Sequence, residues 1–293
     1  MAVVRTGKPK EESIMEYRTI NNGIKMPVLG FGVFQVSDPR VCEESVLTAI
    51  RHGYRLIDTA SVYGTERAVG KAVRACGISR DALVITTKAW RTELGYDQVM
   101  RAFERSLGRL DMDYIDLYLL HWPARDDDVD RDSWRAMERL YDEGVVKAIG
   151  VSNYLTHHLQ NILAVCNVLP MVDQIEFHPG YLQQDTVEFA LNNGICMEAW
   201  SPLGRQRLNE EPQLLALAAS HGTTVQAICL AFVRQSGLIP LPKSSSAERM
   251  RENLKSDITL TSEEMDIIRG MLQCGWSGEH PDVAPDKDVK VPD

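Results

Sequence analysis

The sequence has no run near the roughly 18 consecutive apolar residues that a membrane-spanning helix needs, and no C-x-x-C pair. Its six cysteines (Cys42, Cys76, Cys166, Cys196, Cys229, Cys274) are too scattered to share a zinc ion. They read as buried thiols in a reducing compartment. Positive charge is in short supply: 32 Lys plus Arg stand against 41 Asp plus Glu, a net charge of −9. That excess of acid argues against a general nucleic-acid or anionic-membrane surface, so an anionic ligand must find a local basic cluster. The N-terminus, MAVVRTGKPKEESIMEY, lacks the apolar core and cleavage site of a secretory signal. The expectation is a cytoplasmic protein with a disordered tail over residues 1–16. No linker or low-complexity tract divides the rest, so residues 17–293 are expected to form one domain. Also missing are G-x-G-x-x-G after a strand, G-x-x-x-x-G-K-[ST], H-E-x-x-H and G-x-S-x-G. Gly30-Phe31-Gly32 is too short for a dinucleotide fingerprint. His157 and His158, adjacent in a predicted helix, are expected not to chelate one metal from the same face, and no metal site is predicted.

What remains is a regular alternation. Eight apolar runs, at Val28-Leu29, Leu56-Ile57, Leu83 to Ile85, Ile115 to Leu120, Val145 to Val151, Met171 to Phe177, Ile195 to Trp200 and Leu238 to Leu241, read as strands. Between them lie helical patterns: Cys42, Val46, Ala49 and Ile50 share a face, as do Val99, Phe103, Leu107 and Leu110, and Val225, Ile228, Cys229 and Phe232. Nearly continuous apolar strands that alternate with helices imply a parallel sheet covered by helices. Eight units favour a (β/α)8 barrel over an open sheet. Tyr17 to Met26, around Asn21-Asn22-Gly23, reads as a hairpin plugging one barrel end. Ser245-Ser246-Ala247-Glu248 reads as a capping box opening a helix to about Lys255. A last helix carries Met265, Ile268 and Leu272 on one face, and an irregular C-terminal loop follows from Gly275.

Chemistry in such a barrel sits where the strands end. Asp58, Lys88 and His121 close the second, third and fourth runs, and Tyr63 follows Asp58 by five residues. A free tyrosine has a pKa of about 10; a neighbouring Lys88 cation is expected to lower it, with Asp58 keeping the lysine charged and aimed. His121 would orient a substrate carbonyl. Each residue also has a plain structural reading: Asp58 and Lys88 as a buried ion pair, His121 as a satisfied core histidine, Tyr63 as an amphipathic surface aromatic. Their convergence at successive strand ends selects the chemical one. Ser152, Asn153, Gln174 and Ser201 supply donors and acceptors suited to a carboxamide, and Trp200 a face to stack on its ring; turn chemistry and helix capping are the alternatives. From Lys243 to Lys255, four cations face two anions, a local balance of +2. With Ser244, Lys243 and Arg249 at a helix start, this segment is a candidate phosphate site, or else a solvated basic helix face.

In this order, these residues resemble the aldo-keto reductase family. The resemblance is carried by Met26-Pro-Val-Leu-Gly-Phe-Gly32, Gly53-Tyr-Arg-Leu-Ile-Asp-Thr-Ala-Ser-Val-Tyr-Gly64, Lys88, Asp113-Tyr-Ile-Asp-Leu-Tyr-Leu-Leu-His-Trp-Pro123, Ala148-Ile-Gly-Val-Ser-Asn153 and Ile239-Pro-Leu-Pro-Lys-Ser244. It runs from Tyr17 to Leu272. It implies a (β/α)8 barrel that uses NADPH without a Rossmann fold, with a catalytic tetrad of Asp58, Tyr63, Lys88 and His121. Implied cofactor contacts are Ser152, Asn153, Gln174, Trp200, Ser201, Leu203, Lys243, Ser244, Arg249 and Asn253. Trp200 stands where Tyr is frequent in the family, and Val33-Phe34 where Thr and Trp are. The compact acidic connection from Ala124 to Ser133 and the short C-terminal loop are similar to microbial and protozoan aldehyde, diketo-acid and prostaglandin F synthase-like members. A monomeric carbonyl reductase taking small aldehydes or ketones is implied, with Phe34, Trp90 and Trp122 walling the substrate pocket. Its rivals are a cofactor-binding scaffold or regulatory barrel without turnover and a metal-dependent barrel hydrolase, for which no H-x-H lies near a strand end.

Overall fold

The computed structural model describes residues 15–255, 257–283 and 289–292, so most of the expected N-terminal tail lies outside the described residues. Chain order opens with an antiparallel hairpin, β1 (Tyr17–Thr19) and β2 (Lys25–Pro27), that pairs Arg18 with Met26. Its turn places Gly23 at φ 88°, a left-handed value that glycine adopts without a Cβ penalty. Arg18 donates to the Gly237 carbonyl, while Asn21 and Asn22 donate to the carbonyls of Pro170 and Lys147 at 3.0 Å each. These acceptors lie at strand starts, so the hairpin covers the barrel end away from the candidate site.

Eight parallel strands follow: β3 (Phe31–Gly32), β4 (Leu56–Asp58), β5 (Val84–Ala89), β6 (Ile115–Leu120), β7 (Val146–Ser152), β8 (Val172–Glu176), β9 (Cys196–Trp200) and β10 (Leu238–Leu241). They pair in sequence order. Two bonds, Gly30 N to Pro240 O at 3.0 Å and Gly32 N to Pro242 O at 3.2 Å, draw β3 to β10 and close the ring. Helices α1 (Pro39–His52), α2 (Glu66–Ala75), α3 (Tyr96–Leu110), α4 (Asp127–Asp142), α5 (Thr156–Leu163), α6 (Gln184–Asn192), α7 (Pro212–Ser220) and α8 (Val225–Gln235) fill the crossovers; α9 (Ala247–Lys255) and α10 (Ser262–Arg269) follow β10. The predicted (β/α)8 barrel is therefore the fold.

Local chemistry explains the elements. Asp38 caps α1 by accepting the amides of Arg40 and Val41, Pro39 presets the first turn, and Gly53 ends the helix at φ 112°. The predicted apolar faces of α1 and α8 are buried throughout. Four expectations need correction. The first barrel strand is Phe31–Gly32, because Val28 instead extends the hairpin by donating to Glu16 O at 3.0 Å. The third strand ends at Ala89, one residue past Lys88, continuing the apolar run through buried Thr86 and Thr87. Leu272 is 88% exposed, since α10 ends at Arg269 before reaching it. The start of α9 is capped by Ser246, whose Oγ accepts the Arg249 amide at 3.4 Å, one residue later than predicted.

Candidate active site

The ends of β4, β5 and β6 bring the four predicted residues together. Asp58 is the last residue of β4, Lys88 the penultimate residue of β5, and His121 follows β6 directly. Tyr63 closes a short 3-10 turn over Ser61–Tyr63. That turn is anchored by Glu93, which accepts Ser61 Oγ at 2.7 Å and Trp90 N at 2.9 Å and pairs with Arg105 at 2.8 Å. Tyr63 Oη lies 3.3 Å from His121 Nε2. Behind it, Lys88 Nζ donates to both Asp58 oxygens at 2.7 Å and to Thr59 O at 2.9 Å, which uses all three ammonium protons.

The electrostatics differ from expectation. Burial pushes the Tyr63 phenol well above its usual pKa, and the negative charges of Asp58 and Glu279 push further, against Arg205. Lys88, paired with Asp58 and with its nitrogen 5.4 Å from the phenol ring centre, is not among the charges that set this shift. His121 is held well below its usual pKa by burial and then by Lys88, so it is a neutral imidazole. Its Nδ1 is buried with no hydrogen-bond partner among the described residues. The site thus presents a neutral phenol and a neutral imidazole to one point, suited to hold a carbonyl oxygen and supply its proton.

A cavity of about 1200 Å³ opens above this pair. It is lined by every predicted site residue except Lys88 and Ser152, which lie one layer behind. Ser152 Oγ donates to Gln174 O at 2.7 Å, and Asn153 links strands through Nδ2 to His121 O at 2.9 Å and Oδ1 from Trp200 Nε1 at 2.8 Å. Aromatic edges surround Tyr63: Phe34 at 4.9 Å between ring centres, and Trp90 at 5.0 Å from His121. At the other end, exposed Lys243 and Arg249 flank buried Ser244 at the entry to α9. Polar side chains at one end, an aromatic face at Trp200 and cations at the far rim suit an extended dinucleotide.

Several groups at or just behind the cavity wall were not anticipated. Glu198, inside β9, accepts Gln174 Nε2 at 2.8 Å. The Arg205 guanidinium lies 5.7 Å from the Phe34 ring centre and 5.5 Å from that of Trp200. The C-terminal loop returns to the mouth, where Glu279 and Val289 line the cavity and Ser277 bonds Glu176 through Oγ at 2.6 Å. The short loop therefore contributes to the cavity wall. His157 and His158 do converge, both reaching Asp282 Oδ1, at 2.9 and 3.2 Å. His158 Nδ1 accepts the Leu155 amide at 3.1 Å, so its proton sits on Nε2, and the His157 Nε2 bond to Asp282 at 2.9 Å ties the loop to α5.

The aldo/keto reductase family model matches residues 28–273. The chain belongs to the aldo/keto reductase family. The uncharacterized oxidoreductase YtbE of Bacillus subtilis is 43% identical over 90% of this chain and 95% of its own length. Glyoxal reductase of the same organism is 41% identical over 92% of this chain and 98% of its own. The crystal structure of a Bombyx mori aldo-keto reductase in complex with NADP superimposes with a TM-score of 0.81 at 32% identity, covering 87% of this chain and 92% of that one. As an aldo/keto reductase the chain is an oxidoreductase that uses a nicotinamide cofactor on small carbonyl compounds.

Proposed function

We propose that this aldo/keto reductase is an NADPH-dependent carbonyl reductase in which Tyr63 is the general acid. The observation that carries the reading is the 3.3 Å approach of Tyr63 Oη to His121 Nε2 at the cavity floor, with the Lys88–Asp58 pair behind it. When bound, the cofactor supplies hydride to the carbonyl carbon. Tyr63 and His121 hold the carbonyl oxygen and stabilise the charge that grows there. Tyr63 then releases its proton to that oxygen, giving the alcohol, and recovers one from solvent. Its raised pKa does not prevent this, because an alkoxide is a far stronger base than a phenolate. Lys88, fixed by Asp58, keeps a compensating positive charge behind the phenol.

Lys243 and Arg249 are assigned to the 2′-phosphate, which makes NADPH the preferred cofactor. Phe34, Trp90 and Trp122 offer aromatic walls that rank substrates by roughly 1 to 3 kcal/mol per methylene without excluding many. The reading is therefore activity on aromatic aldehydes and activated dicarbonyls, an assignment supported by the similarity to glyoxal reductase. Following nicotinamide absorbance with 4-nitrobenzaldehyde, phenylglyoxal, an aldose and a ketosteroid tests it. Turnover of the first two, lost by about two to four orders of magnitude in Tyr63→Phe while NADPH still binds, is expected. Binding without turnover in the wild type would favour the regulatory barrel, and near-normal turnover in the variant would place the proton donor elsewhere.

A further inference from the structure

Glu198 joins the tetrad to the cofactor-facing side chains, yet the chemistry above gives it no role. In the β8–β9 register it stands directly beside Gln174, and it is wholly buried. Gln174 Nε2 donates to Asp58 Oδ2 at 2.9 Å and to Glu198 Oε2 at 2.8 Å. An amide nitrogen has two protons, so both are spent on carboxyl oxygens deep in the barrel. Asp58 is itself fixed by Lys88 at 2.7 Å. A carboxyl buried at this depth is costly unless it answers a donor. Burial and the nearby Asp58 charge push the Glu198 carboxyl up to about 7, against the Gln174 donor and Lys88. With its nitrogen tied at two points, Oε1 is the polar atom that Gln174, a cavity-lining residue, has left to answer a ligand.

We propose that Glu198 is a positioning residue for cofactor recognition: it takes the second amide proton of Gln174, so that the side chain offers the cavity only an acceptor. Such a site selects a ring substituent that brings an N–H, the carboxamide of nicotinamide, over one that brings none. The inference rests on the reading of a nicotinamide cofactor at this mouth.

The test is binding without turnover. Quenching of tryptophan fluorescence gives the affinities of NADP+ and of its 3-acetylpyridine analogue, whose methyl ketone has no N–H, for wild type, Glu198→Met and Glu198→Gln. Wild type should bind NADP+ at least tenfold more tightly than the analogue. Glu198→Met should narrow that preference to about threefold or less, because a donor left without its partner frees the amide to turn. Glu198→Gln keeps an acceptor oxygen and should retain the tenfold preference. An undiminished preference in Glu198→Met, or an equal loss in both variants, overturns the proposal. So does a wild type that binds both ligands equally, a result independent of whether either variant folds. A wild type quenched by neither ligand would defeat the cofactor reading and the proposal with it.

Discussion

Tyr63 and His121 meet at hydrogen-bond distance, but their ionisation is set by what surrounds them. The phenol is held above its usual range and the imidazole below it, so neither changes charge near neutral pH. Glu198 does, with its carboxyl raised to about 7 among Asp58, Lys88 and Gln174. Ionising it adds negative charge beside the Lys88–Asp58 pair, which makes Tyr63 a weaker acid. The kcat/KM for reduction should therefore show one inflection near pH 7 and fall several-fold above it, and Glu198→Gln should flatten the profile. An inflection that persists in that variant would assign the titration to another group. Glu198 was not visible in the sequence because it interrupts an apolar run in mid-strand, where no strand-end rule looks. Only the register that sets it against Gln174 gives it a partner. The tetrad was visible, since each member closes or follows a run.

At the scale of elements, the strands buried on both faces were legible as apolar runs, and the errors fell where that signal is weakest. A two-residue strand, Phe31–Gly32, was displaced onto its apolar neighbours, while β5, expected to end at Lys88, runs one residue further to Ala89. The return of the C-terminal loop to the mouth was illegible, because Ser277 and Asp282 find partners 101 and 125 residues distant, brought near only by the folded barrel. Helix α9 shows how an element can carry specificity. Its first turn places exposed Arg249 on the cavity that Lys243 also lines, and buried Asn253, one turn on along the same face, lines it too. Arg249→Ala should weaken NADPH binding roughly tenfold or more with little effect on NADH, and raised salt should erode the wild-type preference. Equal loss for both cofactors in a fluorescence titration would make Arg249 a structural helix residue.

The whole molecule carries its own titration. Asp130 is fully buried, accepts Ala124 N at 2.7 Å and Tyr154 Oη at 2.8 Å, and is pushed up to about 7 chiefly by burial. The native chain thus binds this proton more tightly than the unfolded one. Its contribution is full below about pH 4 and is lost as pH rises through 7, as is that of Glu198. Melting temperature should fall between pH 5 and 8, and Asp130→Asn, which keeps the accepting oxygen, should flatten the slope, an effect on the order of 2 to 4 kcal/mol at most. A slope unchanged in the variant would remove Asp130 from the account. The closure of the ring has a different consequence. Every barrel strand pairs on two sides, yet at β3 the join to the 240–242 segment rests on two hydrogen bonds spaced across a strand of two residues. Should that join part, the sheet acquires two free edges at once, and free edges recruit other chains. Resistance to aggregation is then governed by the opening of this one line rather than by global unfolding, and amide exchange at Gly30 and Gly32, faster than at Leu119 or Ile149, would measure how often it opens.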